Sequence, residues 1–305
     1  MTASRLRLAA PLAALVAVSA LVRTIVAWQR ATPTFVDEYT YSSLSRSLAT
    51  SGHALIRGVP AHFLPLLQPL VTAPAWLAGH VETSYRIAQA IDATAMSLAA
   101  VPVYLLARRL GLGTRSALAA AALAIATPSM LFSSLLISEP VAYPLALAAI
   151  AAGVAALDRP SPRSYATFVA LVALATFARI QFAILLPCFF AAFVLLAAGE
   201  RRLRSLPRSQ WRLFGAFVLA AAVLLAVGPA RNTGYYPSFL YIHGVHPGRA
   251  LAIAGANALT LVYASGFVLV PGAVLGLVLA IARPRLGAER AFAVLCVVVT
   301  GGLLA

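Results

Sequence analysis

An all-α, polytopic transmembrane helix bundle is the fold this sequence predicts, and hydropathy, scarcity of charge and the spacing of the arginines predict it. Of 305 residues 62% are hydrophobic and 10% charged, against about a quarter charged in soluble domains. The apolar runs are long and continuous, which suits spanning helices and excludes the short alternating segments of a β-barrel. All 23 basic residues are Arg, against 8 acids, for a net charge of +15. They cluster in linkers between apolar runs, as orientation signals do, so a nucleic-acid partner is excluded. Abundant Ala without any Lys is the composition of a GC-rich bacterial genome.

Taken in order, Arg5 and Arg7 precede an apolar run too long for a signal peptide, with no small-residue cleavage site before Trp28. This run is read as a retained first span over about 8–28. Further spans are expected at about 86–107, 115–134, 140–157, 165–180, 182–199, 212–229 and 257–282. A ninth begins near Ala291 and is cut short by the end of the sequence, so about eight to nine spans are expected in a piece truncated at its C-terminus. Residues 1–305 are read as one transmembrane domain. Pro128 and Pro271 fall inside expected spans, where neighbours must satisfy the freed carbonyl. Cys188 and Cys296 lie inside apolar runs and suggest neither a disulfide framework nor a metal knuckle. No internal repeat is evident.

The arginines alternate in side. Arg5, Arg7, Arg108, Arg109, Arg115, Arg159 and Arg163 fall on one side, with the run Arg201 to Arg212 and then Arg283, Arg285 and Arg290. By the positive-inside rule that side is cytoplasmic, which puts the N-terminus inside. The outer side receives the loop 29–85, the turn before Glu139, the tight turn at Arg179 and the loop 230–256. All five His, at 53, 62, 80, 243 and 246, lie in outer loops. Within 29–85, Tyr41 to Leu48 reads as a short amphipathic helix ended by Ser51-Gly52. Leu64 to Leu77, broken by Pro65, Pro69 and Pro74, reads as a segment lying along the interface.

The candidate chemistry starts at Asp37 and Glu38, an acidic pair flanked by Phe35, Val36, Tyr39 and Tyr41. Such a pair is either a solvated feature of the loop or a general base held at the membrane surface. Together with Glu139 it is also a possible set of oxygen ligands for a divalent cation, Mg or Mn. Ser138-Glu139-Pro140 carries the marks of a helix start: an N-cap, an acid for the dipole and a Pro in the first turn. It equally offers a third outer carboxylate. Arg179, with Gln181, either snorkels to headgroups or clamps a phosphate, which its planar fork suits. Arg231 and Arg249 are weaker versions of the same idea. Arg23 and Asp92 are expected to form an ion pair between the first two spans. His243-x-x-His246 is a weak zinc signal. No nucleotide-binding glycine loop and no nucleophile elbow appear.

One order of motifs resembles a known family. A first span ending Leu21-Val22-Arg23 is followed by Val36-Asp37-Glu38-Tyr39 and by Phe63-Leu64-Pro65-Leu66-Leu67-Gln68-Pro69-Leu70. Tyr85-Arg86-Ile87, Tyr104 to Gly111, Pro128-Ser129 and Ser138-Glu139-Pro140 come next. Over roughly residues 15–185 this resembles the GT-C glycosyltransferases, multispan enzymes that use lipid-phosphate sugars, such as protein O-mannosyltransferases and aminoarabinose transferases. The resemblance implies Asp37 as base or metal ligand, Glu38 as its partner, Glu139 as a second acidic position and Arg179 as a contact to the lipid phosphate. Gln181 and Arg231 are added to the phosphate contacts, and Tyr41, His62 and Arg86 to the substrate contacts. The loop around His62 departs from the family by lacking the lysine-proline pairing of some members.

The expected reaction is inverting transfer of a sugar from a polyprenyl-phosphate donor to an acceptor hydroxyl on a glycan, lipid or protein, at the outer face of the cytoplasmic membrane. A polytopic transporter or lipid flippase is the alternative; it would place polar groups near the midplane, commonly with repeat symmetry. A non-catalytic scaffold of envelope assembly is a third.

Overall fold

The computed structural model describes residues 3–29, 36–61, 65–126, 135–199 and 247–304 apart from 266 and 268, together with Gly215 and Leu219. The fold is helical, as expected, with one two-stranded hairpin among the described residues. Two compact units emerge. One is built from the described parts of Met1–Ala61, Pro65–Ala151 and Ala170–Ile180, the other from those of Ala152–Val169 and Gln181–Ala305.

In the first unit, α1 (Ala3–Ala27) packs against α4 (Val81–Ser97). Val18, Leu21, Val22 and Ile25 stay more than half exposed on α1. A row of bare aliphatic side chains this large suits lipid, where exposure of apolar surface carries no penalty. α4 stops at Ser97 and α5 (Ala100–Arg109) starts after two intervening residues. Pro102 explains the break: it has no N–H to offer the Leu98 carbonyl, which instead accepts from Val101 N at 3.0 Å. α6 (Thr114–Ile125) returns against α5.

The long loop is more ordered than its description as a loop implies. α2 (Val36–Ser51) begins five residues before the helix expected from Tyr41, because the two acids suit a first turn. Gly52, at φ 70°, ends it as expected. Strands β1 (Leu55–Ile56) and β2 (Val59–Pro60) pair antiparallel around Arg57 (φ 53°) and Gly58 (φ 79°), both left-handed as a two-residue hairpin turn requires. Arg57 Nε donates to the Tyr39 hydroxyl at 3.4 Å, and its guanidinium lies over the Tyr39 ring at 5.5 Å. The proline-broken segment forms α3 (Leu67–Thr72) and a 3-10 turn, Ala73–Ala78. These pack between α2 and α4.

α7 (Glu139–Asp158) and α8 (Pro162–Ala178) contribute residues to both units. In the second unit α9 (Leu185–Gly199) follows a 3-10 turn, Ile180–Ile184, and packs on α12 (Gly287–Leu304). Phe168 stacks on Phe189 at 4.3 Å between centroids. Gly153 of α7 makes room there, since a Cβ on it would meet Leu295 and Phe168 carbons at 3.2 Å. Gly153→Val is therefore expected to lower stability by about 1–3 kcal/mol through overpacking, measured by thermal unfolding in detergent.

The single span expected at 257–282 is two helices, α10 (Pro247–Ser265) and α11 (Leu269–Ala282). Pro271 accordingly lies in the first turn of α11, where its missing N–H is harmless, and not within a span. Among the described residues four stretches are long and apolar enough to cross a membrane: Ala10–Ala27, Val81–Arg109, Glu139–Asp158 and Ile180–Gly199. Thr114–Ile125, Pro162–Ala178 and Leu269–Ala282 are shorter apolar helices. The protein is a multi-pass membrane protein. The span expected at 212–229 lies outside the described residues, apart from Gly215 and Leu219.

Candidate active site

Asp37 and Glu38 are neighbours on a helix, and neighbours on a helix diverge by about 100°. The structure uses that divergence. Glu38 is fully buried, and its Oε1 accepts from the Tyr85 hydroxyl at 3.0 Å and from Leu136 N–H at 3.3 Å. Asp37 stays exposed on the first turn of α2. The pair expected to share one role is thus divided between an anchor and an available carboxylate. Replacing Glu38 by Leu strands a buried phenol and a buried amide. The expected loss is about 2–4 kcal/mol, read by thermal unfolding of the purified protein, while Glu38→Gln keeps an acceptor and loses less.

Three buried side-chain contacts close a triangle around this anchor. Ser45 Oγ and Thr72 Oγ1, 2.9 Å apart, join α2 to α3. Gln68 Nε2 donates to Asp92 Oδ2 at 3.0 Å and joins α3 to α4. Tyr85 to Glu38 joins α4 back to α2. Each side chain in the triangle is at most 5% exposed. In a setting without water such contacts are more directional than apolar packing, so they fix how α2 presents its acidic end. Sequence reading missed Tyr85 and Gln68 as site residues, although both stood inside the quoted motifs. The signal was the stripe Tyr85, Ala88, Gln89, Asp92, Met96 at helical spacing.

The expected ion pair between Arg23 and Asp92 is not formed. Asp92 is engaged by Gln68, while Arg23 donates to the Ile125 carbonyl and, from Nε, to Ser19 Oγ at 3.2 Å. The carbonyl at the C-terminal end of α6 is a ready acceptor that needs a cation, and Arg23 serves it.

Glu139 opens α7 as expected and pairs with Arg179 at the end of α8. Ser138 Oγ adds a contact to Glu139 Oε2 at 3.2 Å. Burial works to discharge Arg179, but the charge and hydrogen bond of Glu139, with Tyr143 and Tyr41 nearby, outweigh it and raise its pKa. Arg179 is fixed in its cationic form. Tyr41, expected at the substrate, is 7% exposed and lines the core below the acidic turn.

Arg86 is salt-bridged to Glu82 one turn earlier on α4 at 2.8 Å, and its carbonyl accepts from Trp28 Nε1 at 3.0 Å. Gln181 is exposed in the 3-10 turn of the second unit. His62, Arg231, His243 and His246 lie outside the described residues. Among the described residues no three His, Cys, Asp or Glu side chains converge on a metal position. Asp37, Glu38 and Glu139 are not brought together as one ligand set. Glu38 is taken by Tyr85 and Leu136, and Glu139 by Arg179.

The profile of the family described as dolichyl-phosphate-mannose-protein mannosyltransferase matches residues 63–227, more than half of the chain. The chain belongs to this family. The match takes in Gln68, Tyr85, Asp92, Glu139 and Arg179 of the mannosyltransferase-family domain but starts beyond Asp37. The crystal structure of ArnT from Cupriavidus metallidurans, bound to undecaprenyl phosphate, has a similar fold, with a TM-score of 0.53 at 17% identity over 96% of this chain. The chain spans 59% of that protein's length. No curated protein matches the chain. The helical membrane fold read from the apolar runs and the family read from the motif order are thereby shown.

Proposed function

We propose that this mannosyltransferase-family chain acts in a glycosyltransferase that takes a sugar from a polyprenyl-phosphate donor. The acceptor is a hydroxyl on a glycan, lipid or protein at the outer face of the cytoplasmic membrane. The observation that carries this reading is the division of the acidic pair: Glu38 is locked inside while Asp37 is left exposed, in the same unit as a cationic Arg179. Family membership and the undecaprenyl phosphate held by the similar ArnT support a lipid-phosphate donor. The alternating arginines support a cytoplasmic N-terminus and an outer acidic turn.

In this reaction Asp37 takes the proton of the acceptor hydroxyl as its oxygen attacks the anomeric carbon. The bond from that carbon to the phosphate oxygen breaks on the opposite side, and the phosphate leaves with the electron pair, so configuration inverts. Arg179, held charged and in place by Glu139, stabilises the developing phosphate dianion. Because the phosphate is itself the leaving group, no nucleotide site is needed. The two ionisable residues that would suit a transporter, Arg23 and Asp92, are both engaged in holding helices together.

The test uses the full-length protein in membranes with a panel of labelled polyprenyl-phosphate sugars and, as controls, the matching nucleotide sugars. Consumption of one lipid-phosphate sugar and of no nucleotide sugar is expected. Consumption of nucleotide sugars alone, or of no donor by folded protein, would remove the reading.

A further inference from the structure

Gln68 and Asp92 are at most 1% exposed, and one arm of each planar group meets the other at 3.0 Å. The second arms, Gln68 Oε1 and Asp92 Oδ1, are both buried acceptors without a donor among the described residues. Two stranded acceptors on a pair of groups already in contact are costly, and a bare carboxylate in lipid surroundings more so. Among the described residues no cation compensates. Of the elements packed on α4, α1 brings Arg23, which is committed to Ile125 and Ser19. The 3-10 turn Ala73–Ala78 and α3 bring no charge, and α2 brings the buried Glu38, which is bound to Tyr85, while its Asp37 and Arg46 are exposed. On α4 itself, Glu82 and Arg86 pair with each other at the exposed end. A single proton on Oδ1 resolves both orphans at once: it donates to Gln68 Oε1 while Gln68 Nε2 donates to Oδ2, closing a planar ring of two hydrogen bonds.

We infer that Asp92 is a neutral carboxylic acid closed into a cyclic acid–amide pair with Gln68, and that this pair is a positioning element for the reaction at Asp37. The positioning half rests on the proposed transferase reading; the acid–amide pair does not. Asp92 lies two turns beyond Tyr85 on the same buried stripe of α4, and Gln68 lies one turn before Thr72. Opening the pair frees α3 from α4 and leaves the triangle around Glu38 open on one side. α2 then loses the fixed angle at which it presents Asp37. Asp92 touches no substrate; it acts through α3 and α2.

Asp92→Asn separates the pair from its alternatives. An Asn amide has the same shape as the neutral acid, accepts from Gln68 Nε2 and donates to Gln68 Oε1, so the ring survives. In the full-length protein Asp92→Asn is expected to keep turnover within about threefold of wild type, as a substitution that loses no contact does. Asp92→Ala and Gln68→Leu are expected to lower kcat by about tenfold or more with KM little changed, equivalent to about 1.4 kcal/mol in the barrier. Infrared spectra of the same proteins are expected to show a protonated-carboxyl band in wild type that persists above the ordinary carboxylate range of pH and disappears in Asp92→Asn. Absence of a band assignable to Asp92, or damage from Asn equal to that from Ala, would overturn the inference. Should wild type turn over no donor, the transferase reading falls alone, and the infrared band with the thermal stabilities of the three variants still decides the acid–amide pair. Should the Ala and Leu variants fail to fold, the Asn variant and the band decide it.

Discussion

Asp37→Asn is expected to reduce sugar transfer by about 10²- to 10⁴-fold, the usual contribution of a positioned general base. That is equivalent to about 3–5 kcal/mol in the barrier. The same substitution should leave the fold almost untouched. Asp37 is exposed, and what it gives the helix is an acid at the N-terminus, worth about 0.3–1 kcal/mol. A large loss of rate beside a small change in thermal stability is therefore the expected signature. It contrasts with Glu38, one residue on, where burial makes stability the first thing to fail. Parallel assays of Asp37→Asn and Glu38→Leu, with unfolding followed on the same preparations, check the division. Equal rate losses at equal stability would show that the helix does not separate the two carboxylates as the structure indicates.

Arg179→Ala is expected to have the second largest effect. It leaves Glu139, whose side chain is 19% exposed, without its cation. Full burial would make such a loss about 3–5 kcal/mol and full exposure under about 1, so about 1–3 kcal/mol of stability is expected here. Turnover should fall by about 10²- to 10³-fold as well, because a donor aimed at developing charge is removed. Arg179→Lys discriminates between the two effects. It restores a positive charge beside Glu139 and should recover most of the stability. It lacks the planar fork that matches a phosphate and should recover little of the rate. A Lys variant with wild-type turnover would mean that Arg179 serves Glu139 alone.

Much of this was legible in the residues, and the remainder failed for physical reasons. The apolar runs placed the helices because a spanning helix must satisfy its own backbone in lipid. The long first loop was legible only in part. Asp37 and Glu38 read as a pair because they adjoin in sequence, but starting α2 at Val36 turned them onto different faces. Helix boundaries depend on which residue takes the first turn, and composition does not declare that. Arg23 and Asp92 read as an ion pair because opposite charges in lipid usually meet. The alternatives that won were an uncharged amide, Gln68, and an open helix carbonyl, Ile125. Neither carries a charge that a scan for partners would notice. Glu139 and Arg179 were each singled out for the right local reason, a helix start and a tight turn. Their contact across 40 residues is a product of the tertiary fold.

The most direct measurement is the anomeric configuration of the product formed by the full-length protein from a polyprenyl-phosphate sugar of defined anomer, read by NMR before mutarotation. One displacement with Asp37 as base predicts complete inversion in wild type and loss of product in Asp37→Asn. Retention of configuration would require a covalent glycosyl intermediate on a carboxylate and would contradict the role given to Asp37. Undiminished product from Asp37→Asn would contradict it equally.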